Sequence, residues 1–209
     1  MEYIKIVVLT KSAKYGDNCV AGIDLSNGAW VRLVTENEES HGAVSDSALI
    51  CEDGRSVEVL DVIDAPILKM CDDCIQPENV LLDLDTPIKI SGRMTLDEVL
   101  KIHPLERKRN ILGNDYIYIT EARVDSVGYS LVMVEVFDLV FTREENTEGK
   151  TKLKASFKYQ ETEYKNMSVT DRKYLKIQNE TRFEKAILVV SIGTPYNSRY
   201  YKFVSAIFV

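Results

Sequence analysis

Lys11-Ser12-Ala13-Lys14-Tyr15-Gly16-Asp17-Asn18-Cys19-Val20-Ala21-Gly22-Ile23-Asp24, followed by Gly28-Ala29-Trp30-Val31-Arg32-Leu33-Val34, is the stretch from which the fold is read. A polar loop around Gly16 separates the apolar run 4–9 from two more short apolar runs, 19–23 and 30–34. Runs this short, rich in Val and Ile and bounded by Gly, Asn, Asp and Ser, read as strands. Ser26-Asn27-Gly28 supplies residues that tolerate positive φ, as a tight hairpin requires. The rhythm is that of a small β-barrel, with cations and the only Trp near its loops.

Outward from that stretch, strands are expected over 3–9, 19–24, 29–34 and 57–64, with a polar, Glu-rich surface excursion over 35–55. Thr95-Leu96-Asp97-Glu98 is a capping box and predicts a helix carrying Val99, Leu100 and Ile102. His103-Pro104 interrupts it, and a second helical piece is expected over 105–112, ending at Gly113-Asn114. Strands then follow over 116–120, 122–127, 130–141, 153–159, 164–169, 186–192 and 200–209. Residues 144–150 read as a charged turn, and Thr170 as the N-cap of a short helix through residue 176. Three strands, a helix and two strands is the layout of the OB-fold. The expected fold is mostly β: two small OB-like antiparallel β-barrels with short helices in the connections, over 1–112 and 113–209. One larger mixed barrel is the rival architecture.

The 209 residues are 45% hydrophobic and 28% charged, as in globular chains, which argues against wholesale disorder. No apolar run approaches the roughly 20 residues that span a bilayer. Met1-Glu2-Tyr3-Ile4-Lys5 reads as a first strand and not as a signal peptide, so a cytoplasmic location without a membrane partner is expected. Net charge is −7 and uneven: residues 1–142 hold 13 Lys/Arg and 25 Asp/Glu (−12), residues 143–209 hold 13 and 8 (+5). The basic last third is either a footprint for a phosphate backbone or a surface that attracts the acidic part or merely solvates the fold.

Residues for catalysis do not assemble. Cys71-Asp72-Asp73-Cys74 has the spacing of half a zinc site, but Cys19, Cys51, His41 and His103 offer no second pair. The two aspartates would raise the thiol pKa values, contrary to what redox chemistry needs. With only two histidines, no nucleophile gains an adjacent base. Asp61/Asp64 and Asp83/Asp85 are uninformative in so acidic a chain, and Gly16 alone makes no phosphate loop. The expectation is a protein that is not an enzyme and has no metal or other cofactor.

Binding cues are better. Lys11, Ser12, Lys14 and Tyr15 form a loop suited to a phosphate and one stacked base. Trp30 and Arg32 lie two apart and share a strand face. Facing outward they form a stacking-plus-cation platform; facing inward, Trp30 is core and Arg32 needs a carboxylate. Along Arg199-Tyr200-Tyr201-Lys202-Phe203, Arg199, Tyr201 and Phe203 face one side, Tyr200 and Lys202 the other. The predicted contacts are therefore Lys11, Ser12, Lys14, Tyr15, Arg32, Arg199, Tyr201 and Lys202.

The chain resembles the prokaryotic dual OB-fold domain family. The resemblance rests on residues 11–24 with Trp30–Val34, on Leu60-Asp61-Val62-Ile63 before Pro66-Ile67, and on Gln76-Pro77-Glu78-Asn79-Val80. The closing half adds Phe157, Tyr164, Val169-Thr170-Asp171, Ser191-Ile192-Gly193-Thr194-Pro195-Tyr196 and Tyr201-Lys202-Phe203-Val204-Ser205-Ala206-Ile207. It departs from the pattern at Asp17-Asn18, where a Gly-Arg pair is expected, and at Val80, where an aromatic is usual. The resemblance implies nucleic-acid association and a link to prokaryotic conflict systems. The functional expectation is a non-catalytic OB-type module for single-stranded nucleic acid or nucleotide in a prokaryotic defence or regulatory system. The alternative is a protein-interaction domain that docks a partner through its acidic N-terminal half.

Overall fold

The computed structural model describes residues 2–145, 149 and 151–209. They form two compact units, Met1–Pro104 and Leu105–Val209.

The first unit contains β1 (Glu2–Lys14), β2 (Asp17–Asp24), β3 (Trp30–Val34), β4 (Asp61–Met70), β5 (Asn79–Leu82), β6 (Lys89–Arg93) and helix α1 (Leu96–Ile102). Strand β1 pairs with both β2 and β4, β2 continues to β3, β3 runs parallel to β5, and β5 returns to β4. The five strands thus close a ring, and β6 is appended to β4. Tyr15 (φ 47) and Gly16 (φ 90) make the two-residue turn between Lys14 and Asp17, whose left-handed geometry suits a twisted hairpin. At Gly22 the chains approach so closely that a Cβ would lie 2.0 Å from the Val7 carbonyl oxygen. The core gathers Ile6, Val8, Val20, Val31, Leu33, Ile63, Val80 and Leu82. The excursion is more than surface, because its Val44, Leu49 and Cys51 are buried in the same cluster. Helix α1 begins with the expected capping box: the Glu98 amide donates to Thr95 Oγ1 and the Thr95 amide to Glu98 Oε2.

The second unit contains β7 (Tyr118–Thr120), helix α2 (Glu121–Val124), β8 (Leu131–Glu145), β9 (Thr151–Tyr159), β10 (Thr162–Val169), β11 (Thr181–Tyr196) and β12 (Arg199–Phe208). The ring repeats the first: β8 pairs with β9 and β11, β9 with β10, β10 runs parallel to β12, and β12 returns to β11. Strand β7 is appended to β12. Both units are closed five-stranded barrels, as expected, with the chain's strands joined in the order 1-2-3-5-4.

Four local expectations are corrected. Residues 170–176 form turns and no helix. The Asp171 carboxylate accepts from the Lys173 and Ile207 amides, and the Arg143 guanidinium takes the Leu175 and Ile177 carbonyls that a growing helix would use. Residues 105–110 are irregular before a short 3-10 turn, Ile111–Gly113. There the Tyr159 hydroxyl takes the Glu106 and Lys108 carbonyls. In place of the expected strand 122–127 stands the helix α2, which begins at Glu121, followed by turns closed by the Ser126 and Val127 amides. The strand expected over 57–64 begins only at Asp61 and runs on to Met70. Of the expected turn over 144–150, residues 146–148 and 150 lie outside the described residues. Among the described residues no helix is long and apolar enough to cross a membrane.

Candidate functional site

Alternation along β12 sorts its residues into two faces. Tyr200, Lys202 and Val204 are buried, while Arg199 is exposed and Tyr201 and Phe203 are half-buried. Tyr201 lies directly opposite Tyr118 on β7, with ring centroids 5.9 Å apart. Tyr118 stacks on Tyr116 at 5.7 Å, and the Arg199 guanidinium sits 4.4 Å from the Tyr118 ring centroid. Tyr116 remains 60% exposed. Asn197 and Ser198, both at positive φ, form the turn that pairs exposed Tyr196 with Arg199 beside this group. Gly193 makes room for the Phe203 ring, since a Cβ there would lie 2.4 Å from Phe203 Cε2. Three tyrosine rings and a guanidinium on one surface offer π faces for stacking and a cation for a phosphate.

Lys202, predicted as a contact, is 1% exposed and turned the other way. Its ammonium donates to Ile111 O (2.6 Å), Asn114 O (2.9 Å) and Asn114 Oδ1 (2.7 Å), with the Tyr164 ring centroid at 5.5 Å. Tyr164 completes the cage, donating to Asn114 O at 2.8 Å and accepting from the Ile111 amide at 2.9 Å. Burial pulls the Lys202 pKa down to about 7, against a smaller upward pull from Asp115. Burial also pushes the Tyr164 hydroxyl up to about 12. Lys202 therefore fastens residues 111–114 to the barrel and fixes the segment that carries Tyr116; it presents no charge to a ligand.

In the first unit the predicted residues do not converge on an open surface. The Lys11 ammonium is spent on Ser56 Oγ (2.8 Å), Val57 O (2.9 Å) and Glu58 (3.5 Å). Ser12 is buried, and Lys14 donates to His41 O at 2.6 Å. Burial and then nearby Arg32 hold the Lys14 pKa below its usual value, against an upward pull from Cys19. Tyr15 alone is open, at 62%, with the His41 ring 4.6 Å away. Val31 and Leu33 belong to the core, so Trp30 and Arg32 do lie on the opposite strand face. Arg32 is nonetheless 1% exposed and pairs with buried Glu78 at 3.3 Å, while Trp30 packs edge-on against His103 at 5.3 Å. Arg32 thus found the carboxylate it needed, although its face is not the inward one.

Of the predicted set, Arg199 and Tyr201 share the face around Tyr118, which with Tyr116 the structure adds. The i, i+2 spacing of those two tyrosines within an expected strand was the available signal for a shared face. Cys71 is half-buried and Cys74 exposed, both as free thiols; burial pushes the Cys71 thiol up, with Asp73 adding to it. Among the described residues no group of three or more His, Cys, Asp or Glu side chains is placed to hold a metal ion.

Two closed barrels with one strand order define a tandem OB-fold protein, a class built for binding. The chain belongs to the dual OB-containing domain family, whose profile matches residues 4–207. Neither the comparison with curated proteins nor that with solved structures yields a match.

Proposed function

We propose that the protein is a non-catalytic module that binds single-stranded nucleic acid on the Tyr116–Tyr118–Tyr201–Arg199 surface of its second unit. The carrying observation is the Arg199 guanidinium 4.4 Å from the Tyr118 ring, in line with two further tyrosines. Charge supports the same unit: residues 1–104 hold 9 Lys/Arg and 19 Asp/Glu (−10), whereas residues 105–209 hold 17 and 14 (+3). Bases stack on the rings and the cations follow the backbone, a mode that tolerates sequence variation. The cellular setting we assign is cytoplasmic, in a prokaryotic defence or regulatory system.

The test is a titration with short single-stranded DNA and RNA across a range of salt. Tyr201→Ala is expected to cost about 1–3 kcal/mol of affinity through loss of stacking. Arg199→Ala is expected to flatten the log–log salt slope by about 0.7 for the one phosphate released. Absence of binding at low salt, or equal binding by both variants, refutes the proposal. The acidic first unit as a protein-docking surface then becomes the better reading.

A further inference from the structure

A buried ammonium lies behind the tyrosine surface, and the half-buried side chain of Asn114 links the two. Its Oδ1 accepts from Lys202 Nζ at 2.7 Å and from the Tyr116 amide at 3.1 Å. Its Nδ2 donates to the Tyr118 carbonyl at 3.0 Å. One carboxamide thus closes residues 114–118 into a loop and holds both ring-bearing residues by their backbone. Strand β7 starts only at Tyr118, so Tyr116 lies ahead of the ladder and depends on this loop for its place. Reversing the carboxamide would set its amino group against the Lys202 ammonium and the Tyr116 N–H, donor against donor, so its partners fix its orientation. The Tyr116 and Tyr118 rings lie 5.7 Å apart with planes 28° from parallel, and the Arg199 guanidinium stands 4.4 Å from the Tyr118 ring.

The ammonium has three N–H groups and meets three acceptors: Ile111 O at 2.6 Å, Asn114 Oδ1 at 2.7 Å and Asn114 O at 2.9 Å. Loss of one proton leaves two N–H groups for three oxygens. Ile111 O, the nearest, keeps its donor, so the deficit falls on Asn114, whose carboxamide turns to relieve an oxygen facing a lone pair. The groups that face the ammonium from other elements are Tyr164 on β10 and the Asp115 carboxylate in the loop, while β11 puts Ile192 opposite it. Burial pushes Tyr164 up to about 12, so it stays neutral across the physiological range. Asp115 favours the charged lysine, but burial outweighs it and brings Lys202 down to about 7. The three-donor and two-donor states therefore exchange near neutrality.

We propose that Asn114 is a positioning residue of the tyrosine surface, through which the buried Lys202 ammonium sets how the Tyr116 and Tyr118 rings lie and so how tightly the surface holds a stacked base. The role rests on nucleic-acid binding at that surface, so ring geometry is read separately, without ligand, from the NMR amide and ring signals of Tyr116 and Tyr118 in the whole protein. Affinity is read by titration with a short oligothymidylate at fixed salt, and both measurements run across neutral pH. In the wild type the two tyrosines are expected to shift together with a midpoint near 7. Affinity is expected to fall about five- to ten-fold as pH rises through it, part of what one stacked base contributes. Asn114→Ala is expected to abolish the midpoint at both rings and to bind at every pH as the wild type does at the alkaline end. Asn114→Asp keeps the acceptor for Lys202 and sets a negative charge beside it, so its midpoint is expected to move to higher pH. Ring signals that titrate unchanged in Asn114→Ala, a midpoint unmoved in Asn114→Asp, or wild-type binding that is flat across neutral pH would each overturn the assignment. If the wild type binds no oligonucleotide at low salt, the nucleic-acid reading fails and the coupling to affinity with it, while the ligand-free signals still decide whether Asn114 sets the ring geometry. If Asn114→Ala loses the folded spectrum, Asn114→Asp decides alone.

Discussion

Lys202 makes stability of the second unit depend on pH in a direction opposite to that of most buried carboxylates. Its pKa is about 7 in the fold against 10.5 as an ordinary lysine. Between those values the unfolded chain holds the extra proton, so raising the pH favours the folded state. The shift corresponds to about 4–5 kcal/mol, absent below about pH 7 and fully returned only above the ordinary lysine value of 10.5. Lys202→Met keeps the length and removes the titration. Guanidinium denaturation of both proteins across this window tests the argument, with the second unit followed by the near-UV dichroism of its tyrosines. Trp30 fluorescence reports the first unit separately. The stability difference is expected to move toward the wild type by several kcal/mol as pH rises. At the alkaline end, Met leaves the Ile111 carbonyl without its donor, a further loss of about 1–3 kcal/mol. A difference that stays constant with pH, or moves toward the variant, would show that the three acceptors hold the lysine charged throughout and would refute the reasoning.

Two further outcomes test the first unit. Arg32→Ala strands buried Glu78 and is expected to cost about 3–5 kcal/mol in the Trp30 denaturation curve, whereas Arg32→Met with Glu78→Gln recovers part of it. Gly22→Ala places a methyl 2.0 Å from the Val7 carbonyl oxygen and is expected to unfold this barrel, read as loss of Trp30 signal with the second unit's tyrosine dichroism retained.

The long strands were legible because each is an apolar or alternating run bounded by turn residues, as at 19–24 and 130–141. Strand β5 escaped notice since four residues show no period, and its parallel pairing to β3 leaves no hairpin signal nearby. The two expected helices that did not form share another cause. At 105–112 and 170–176 local propensity favours a helix, but Tyr159, Lys202 and Arg143 reach in from distant strands and take the carbonyls it needs. Sequence order cannot show such captures. At the site, Arg199 and Tyr201 were visible from alternation alone, while their partner Tyr118 depended on the β7–β12 register. Lys11, Lys14 and Arg32 looked like ligand cations because their acceptors lie 27 to 47 residues away along the chain.

Strand β12 gives its two faces unlike freedoms to change. Positions 199, 201 and 203 look away from the buried row, so substitutions there can retune what is bound while the barrel stays closed. Positions 200, 202 and 204 hold the structure and tolerate little. A one-residue insertion or deletion before Arg199 would exchange the two sets, exposing the lysine of the cage and driving an arginine into the core. New specificity on this surface is therefore open to gradual replacement of side chains and closed to changes in length.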